Sequence, residues 1–316
     1  MRRLALAVLF LVAGAVCAQP YPSKPLRLII PFPPGGSNDV VGRAIATQLG
    51  ERLGQSVAVD NRGGAGGTIG MDAAAKAAPD GHTLLLISVS YPMNIALGRM
   101  VPDSMRAFVP VSMLGSGPSI LTVPAGLPAQ SVSDLIQLAR QKPGTLNAGS
   151  AGIGSFQHFA TELFRLQAGV DFVIVQYKGG GPALTDTLAG HVHMNLGSLV
   201  QLLPHVRSGK LRALGIGGAK RSSALPDVPT IAEAGVPGYE ANNWWGILAP
   251  AGTPAPVLAR LREEIAAILE SAETRKRFEM EGGEVVKMNP AEFAALIAAE
   301  TAKWSQLVKQ AGIKAE

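Results

Sequence analysis

Two short stretches combine glycine with small hydroxylated residues in a way that suits capture of an anion. One is Pro34-Gly35-Gly36-Ser37, with Asp39 two residues on. The other is Ser150-Ala151-Gly152-Ile153-Gly154-Ser155. Each lies between a segment patterned as a strand and one patterned as a helix, which is where open α/β sheets bind their ligands. A helix N-terminus presents unpaired N–H groups and about half a unit of positive charge, so it holds an anion without a basic side chain. Glycine lets the backbone come close to the bound group. Neither stretch contains Lys, Arg or His, so amides and hydroxyls must do the holding. The expected contacts are Pro34, Gly35, Gly36, Ser37 and Asp39 on one side, and Ser150, Gly152, Gly154 and Ser155 on the other. Ser88 ends the strand-like TLLLIS and joins them, as do Tyr177 and Gly179 of Tyr177-Lys178-Gly179. The plain alternative is that Pro34, Gly35 and Gly36 only shape a turn while Ser37 and Asp39 cap a helix.

Other chemistries are weaker on the same residues. Ala148-Gly149-Ser150-Ala151-Gly152 is A-x-S-x-G, close to a hydrolase nucleophile elbow. Asp171 or Asp186, followed by His193 or His205, would supply partners in the right order, which makes a secreted serine hydrolase using Ser150 the alternative reading. No H-G-G-G oxyanion motif precedes it. His191 and His193 share one side of a strand, but no Cys or acid pair completes a metal site, so they read as exposed histidines. Gly63 to Gly70 spaces its glycines as G-x-G-x-x-x-G, not as a dinucleotide loop, and reads as structural. No cofactor is expected.

The elements that position these loops alternate in type. Leu26 to Phe32, Ser56 to Val59 and Thr83 to Ser88 read as strands, with helices over Asp39 to Leu53 and Met71 to Ala78. Val109 to Leu114 and Ser119 to Val123 are further strands. A helix capped by Ser131 or Ser133 runs to Gln141. Strands at Thr145 to Ala148, Phe172 to Gln176, Val192 to Leu196 and Leu211 to Ile216 alternate with helices at Phe156 to Ala168 and Pro182 to Ala189. Helices at Pro254 to Leu269, Glu273 to Glu281 and Pro290 to Gln310 close the chain. The class is α/β, and the absence of a linker suggests two lobes joined by short crossing strands. Trp244 and Trp245 read as core, with cleft lining left open by their place near the expected crossing.

Several motifs occur in order along the chain: YPSKPLRLIIPFPPGGSNDVVGR at 21–43, NRGGAGGTIG at 61–70, PDGHTLL at 79–85, KPGTLNAGSAGIGS at 142–155 and YKGGGPALTDTLAGHV at 177–192. GKLRALGI at 209–216, RSSALPDVPTIAEAGVPGYE at 221–240 and APAGTPAPV at 249–257 follow. Together they resemble the substrate-binding proteins of tripartite tricarboxylate transporters, the Bug family. The resemblance implies a two-lobed periplasmic-binding-protein fold, type II-like, with a ligand cleft between the lobes. Lobe one would comprise 19–121 and 246–316, and lobe two 122–245. It further implies capture of a small carboxylate (a di- or tricarboxylate, an aromatic acid or an amino acid) for integral-membrane transporter subunits, and no catalysis. The chain departs from the family at Gly197, where an acid is common, at Ala107, at His191 and His193, and at Phe156, which points to a ligand with an apolar or aromatic part.

The bulk properties agree. Residues 1–18 have Arg2 and Arg3, the apolar run Leu4 to Val16, and small residues around Cys17, a secretory signal with cleavage expected after Ala18. Val16 is a poor neighbour for a lipid-bearing Cys17. Cleavage removes the single cysteine and lowers the formal charge from +5 to +3. The expected product is periplasmic, monomeric and thiol-free. It has no dense basic run, which argues against nucleic acid.

Overall fold

The computed structural model describes residues 21–100 and 106–315; the expected signal segment, 1–18, lies outside them. The chain begins with β1 (Leu26–Ile30), whose LRLII run is apolar on both faces because helices cover both sides of a parallel sheet. The turn through Pro34 and Gly35 leads into α1 (Ser37–Leu53), ended by Gly54 in a left-handed conformation. β2 (Val57–Asn61), α2 (Thr68–Ala75), β3 (Thr83–Ser88) and α3 (Ser90–Ala96) follow. β1 runs parallel to both β2 and β3.

β4 (Phe108–Pro124) is one continuous strand of 17 residues where the sequence pattern suggests two. After it come α4 (Val132–Gln141), β5 (Asn147–Ser150), α5 (Phe156–Ala168), β6 (Val173–Gln176), α6 (Gly180–Leu188), β7 (Met194–Ser198), α7 (Leu199–Arg207) and β8 (Leu211–Ile216). β9 (Asn242–Pro250), α8 (Ala255–Glu270), α9 (Ala272–Met280), β10 (Glu284–Val285) and α10 (Pro290–Ala311) complete the chain.

The pairing of β4 shows how two lobes arise from one sheet. From Phe108 to Pro118 it pairs antiparallel with β9, which continues to β3 and β1. From Ser119 to Pro124 it pairs with β7 and β8 instead, and β7 leads on to β5 and β6. Each lobe therefore owns part of β4, and the chain crosses between them there and just before β9. α10 spans the joint. Phe293 meets Trp244 edge to face at 5.6 Å, and Trp304 meets Phe159 of α5 the same way at 5.6 Å. Trp244 and Trp245 are buried in the cores on either face of the sheet and do not line the cleft.

Candidate functional site

Four helices begin around one cavity between the lobes. Gly36 precedes α1, Ser155 precedes α5, Gly180 is the first residue of α6 and Ser198 precedes α7; all four are in the cavity wall. α1, α6 and α7 have no side chain capping their first amides. Those amides could therefore serve an anion, with the helix dipoles adding positive potential. Hydroxyls of Ser37, Ser88 and Ser90, amides of Asn38, Gln157, Gln201 and Asn243, and the rings of Phe32 and Phe156 fill the rest of the wall. No charged or histidine side chain is in the lining. The free volume is only about 30 Å³, room for roughly one or two waters, so the lobes stand closed on each other.

The turn before α1 is held from behind by Asp39. Its carboxylate accepts the Gly35 N–H at 3.1 Å, the Arg43 Nε–H at 2.9 Å and an Asn61 amide proton at 2.9 Å. Asn61 also donates to the Phe32 carbonyl at 3.0 Å, tying β2 to the turn. Burial works to raise the pKa of the Asp39 carboxyl, but the bonds from Arg43, Asn61 and Gly35 outweigh it and hold it below the usual carboxylate range. Gly36 and Ser37 line the cavity; Pro34, Gly35 and Asp39 do not, and Asp39 acts as the buried support of the turn.

The turn before α5 is built differently. Ser155 caps the helix by accepting the His158 N–H at 3.2 Å, and the Phe156 N–H donates across the lobes to Ser90 Oγ at 3.0 Å. His158 Nδ1 accepts the Gly154 N–H at 3.4 Å. Burial, and then the charges of Arg99 and Arg165, depress the His158 pKa to about 4, so the ring is neutral. Ser155 lines the cavity, whereas Gly152 and Gly154 do not: a Cβ on Gly152 would meet the Tyr177 carbonyl of its own lobe, and one on Gly154 would meet Asn94 of the other. Ser150 is the last residue of β5, fully buried, with an Oγ that has no hydrogen-bond partner. It is neither exposed on a strand–helix elbow nor bonded to a histidine, which removes the geometry that the hydrolase reading needs. The Tyr177 hydroxyl donates to Asp186 at 2.6 Å, and neither Tyr177 nor Gly179 is in the cavity wall.

The two turns share a cavity but do not abut. The turn at Pro34 lies against Gly181, where a Cβ would stand 2.4 Å from the Pro34 carbonyl oxygen. The turn at Ile153 lies against Gly66, where a Cβ would stand 2.0 Å from the Ile153 carbonyl oxygen. Asn94 donates to the Gly66 and Gly154 carbonyls at 2.9 and 3.2 Å, and Arg99 to the Ile153 carbonyl at 2.6 Å. Backbone thus meets backbone across the closed cleft, and the Gly63 to Gly70 segment is part of that contact.

A family model described as "Tripartite tricarboxylate transporter family receptor" matches residues 41–313. The chain belongs to this family. Protein BugT of Bordetella pertussis is 40% identical over 306 residues, which is 96% of this chain and 94% of that one. Among solved structures, "R. palustris Rpa4515 with adipate" matches with a TM-score of 0.89 and 37% identity, over 93% of this chain and 99% of that one. "MatC (Rpa3494) from Rhodopseudomonas palustris with bound malate" matches with a TM-score of 0.85 and 32% identity, over 91% and 100%. Like its relatives in the family, the chain is a substrate-binding receptor and not an enzyme, and Ser150 is no nucleophile.

Several wall residues of this receptor escape a reading of its sequence. Asn38, Ser90, Gln157, Ser198, Gln201 and Asn243 are brought in by strand ends and first helical turns far apart in the chain. The recurring signal is positional, since each sits within two or three residues of a strand–helix junction or at the lobe crossing. His191 is an exposed partner of Asp186 at 3.5 Å, and His193 accepts the Asn147 N–H at 2.9 Å. Among the described residues no cluster of acids, histidines and cysteines is suited to hold a metal.

Proposed function

We propose that this chain captures a small carboxylate in the periplasm and presents it, as a monomer, to the membrane subunits of a tripartite transporter. The observation that carries this reading is the meeting of four helix N-termini around a cavity with no basic side chain. A carboxylate is the group that such an arrangement satisfies: several N–H donors at once, positive potential from the helices, and no counter-charge to desolvate. Adipate and malate in the two solved relatives support the class. Gly36, Ser37, Ser88 and Ser155 would touch the ligand, with Ser90, Gln157, Gln201 and Asn243 beside them.

Entry requires the lobes to part, since the closed cavity holds no ligand of six or more heavy atoms. We place the lobes at 21–118 with 242–315, and 119–241, following the strand pairings of β4 and β9. Bending at Pro118/Ser119 and before Asn242 would open the cleft. Among the described residues no helix is long and apolar enough to cross a membrane, and the mature chain would start at Gln19. The test is a thermal-shift screen of the exported protein against mono-, di- and tricarboxylates, with its intact mass measured alongside. At least one acid should raise the melting temperature in a concentration-dependent way. A flat response to every carboxylate, or a mass that retains residues 1–18, would remove the corresponding part of the reading.

A further inference from the structure

We infer that the cavity selects a carboxylate that also carries an uncharged hydrogen-bond donor, a hydroxyl or an amide N–H, and that Gln157 receives it. This rests on the carboxylate reading of the site and narrows it.

A one-way chain of hydrogen bonds sets the orientation of Gln157. The Thr187 hydroxyl donates to the Ala183 carbonyl at 2.7 Å, and a carbonyl can only accept. The Thr187 oxygen is therefore the acceptor for Asn195 Nδ2 at 3.2 Å. That turns Asn195 Oδ1 toward Gln157, which donates its Nε2 at 3.1 Å. Gln157 is left with its Oε1 in the cavity wall, buried and without a donor. Thr187, Asn195 and Gln157 are at most 4% exposed, so the chain that orients this oxygen is out of contact with bulk solvent. An unmet buried acceptor is costly, and a ligand donor placed against it recovers that cost on binding.

Gly197 makes the arrangement possible. A Cβ there would stand 2.8 Å from Gln157 Nε2 and 2.9 Å from Asn195 Oδ1, so any side chain would push the two amides apart. Gln201 enlarges the acceptor surface. Its Nε2 donates to the Gly180 carbonyl at 2.8 Å. A Cβ on Gly180 would lie 3.0 Å from Gln201 Oε1 and 3.4 Å from Gln157 Oε1, so both amide oxygens gather at the start of α6. Ser198 Oγ is in the same wall, 2% exposed and without a partner.

The donor must be neutral. An ammonium group would enter a cavity with no Asp or Glu in its lining and with four positive helix ends around it. A hydroxyl or amide N–H meets the Gln157 oxygen without that penalty.

The test is calorimetry on the mature protein with matched acids that differ by one donor: succinate and malate, glutarate and 2-hydroxyglutarate, hexanoate and 6-hydroxyhexanoate, benzoate and 4-hydroxybenzoate. In the pair that fits, the hydroxylated member should bind about tenfold or more tightly. Gln157→Met should shrink that preference to within roughly threefold, by weakening the hydroxylated member selectively. Gln157→Glu should turn the preference toward an amino group, with aspartate gaining on malate, a change that a purely structural role would not produce. Equal binding of the two members of every pair by the wild type, or a preference that survives in Gln157→Met, overturns the inference while leaving the carboxylate reading intact. If no acid binds, in these pairs or in the wider carboxylate screen, the carboxylate reading fails and takes this inference with it.

Discussion

The turn before α1 and the turn before α5 line the same cavity, yet they are supported by different chemistry. The first leans on a carboxylate: Asp39 gathers Gly35, Arg43 and Asn61 around two oxygens. The second leans on neutral groups: the Ser155 hydroxyl, the His158 ring, and the amides of Gln157 and Asn195. Solvent access explains the contrast. Arg43 is about half exposed, its side chain 52% accessible, so the Asp39 ion pair keeps one partner in water and escapes most of the desolvation penalty. Around α5 the supporting side chains are buried, and a charge there would lack hydration. The lesson is that charge can support an anion site only from its wet side. An anionic group near the helix ends themselves would compete with the ligand.

The contrast can be broken from several directions. The harshest is steric. Gly181→Val should lower affinity for the carboxylate found by screening by about a thousandfold, because the new side chain meets the Pro34 carbonyl and stops closure. Gly181 is helical and has no positive φ, so folding should survive; calorimetry with a matched melting curve checks both.

Removing the charged support comes next. Asp39→Ala should cost about 3 kcal/mol of stability in urea denaturation, since three donors lose a charged acceptor. Because the Asp39 pKa lies below its unfolded value, its contribution is complete above the ordinary carboxylate range and disappears as pH falls through the folded value.

The neutral support should weaken at a higher pH. The His158 pKa drops from 6.5 to about 4 on folding. Between those values the unfolded chain binds the extra proton, so stability should fall as pH is lowered from about 6.5 to about 4, by roughly 3 kcal/mol, and then level off in this component. His158→Gln should flatten the stability profile in that window and leave the Asp39 step below it unchanged. A profile identical to wild type would show that the ring is not held neutral by the fold.

The mildest change is Ser155→Ala. Loss of one helix cap should cost about 1 kcal/mol and lower the melting temperature by about 2–4 °C, with a modest loss of affinity. An effect as large as that of Asp39→Ala would erase the distinction between the two supports.

Much of this architecture is legible in the chain. α5 and β8 have the bounds that their patterns suggest, because Phe156 to Ala168 repeats its apolar face at helical spacing and ends at Gly169. Gly36, Ser37 and Ser155 were readable as cavity residues for the same local reason, a small-residue turn between strand and helix. α3, α7 and β9 were not. α3 opens with Ser90-Tyr91-Pro92, a turn-like string, yet packs against α10. α7 contains Pro204, which argues against a helix locally, but its apolar face is buried in the second lobe. β9 carries Trp244 and Trp245 side by side, which gives no alternation, because both faces of the sheet are covered there.

By itself the sequence determined the class of fold, the positions of the glycine turns and the absence of a basic residue within them. These follow from short-range rules: side-chain period, the conformational reach of glycine and the unpaired amides at a helix start. Tertiary structure alone decided which turn faces which, that Asp39 supports rather than touches, and that Gln157 shows its oxygen to the cavity. Those facts depend on Gly181, Asn61, Asn195 and Thr187, which lie 8 to 147 residues from the partners they meet and reach them only when the sheet folds. A hydrogen bond has a direction and a packed backbone leaves no slack, so the chemistry of the cavity is set by neighbours in space.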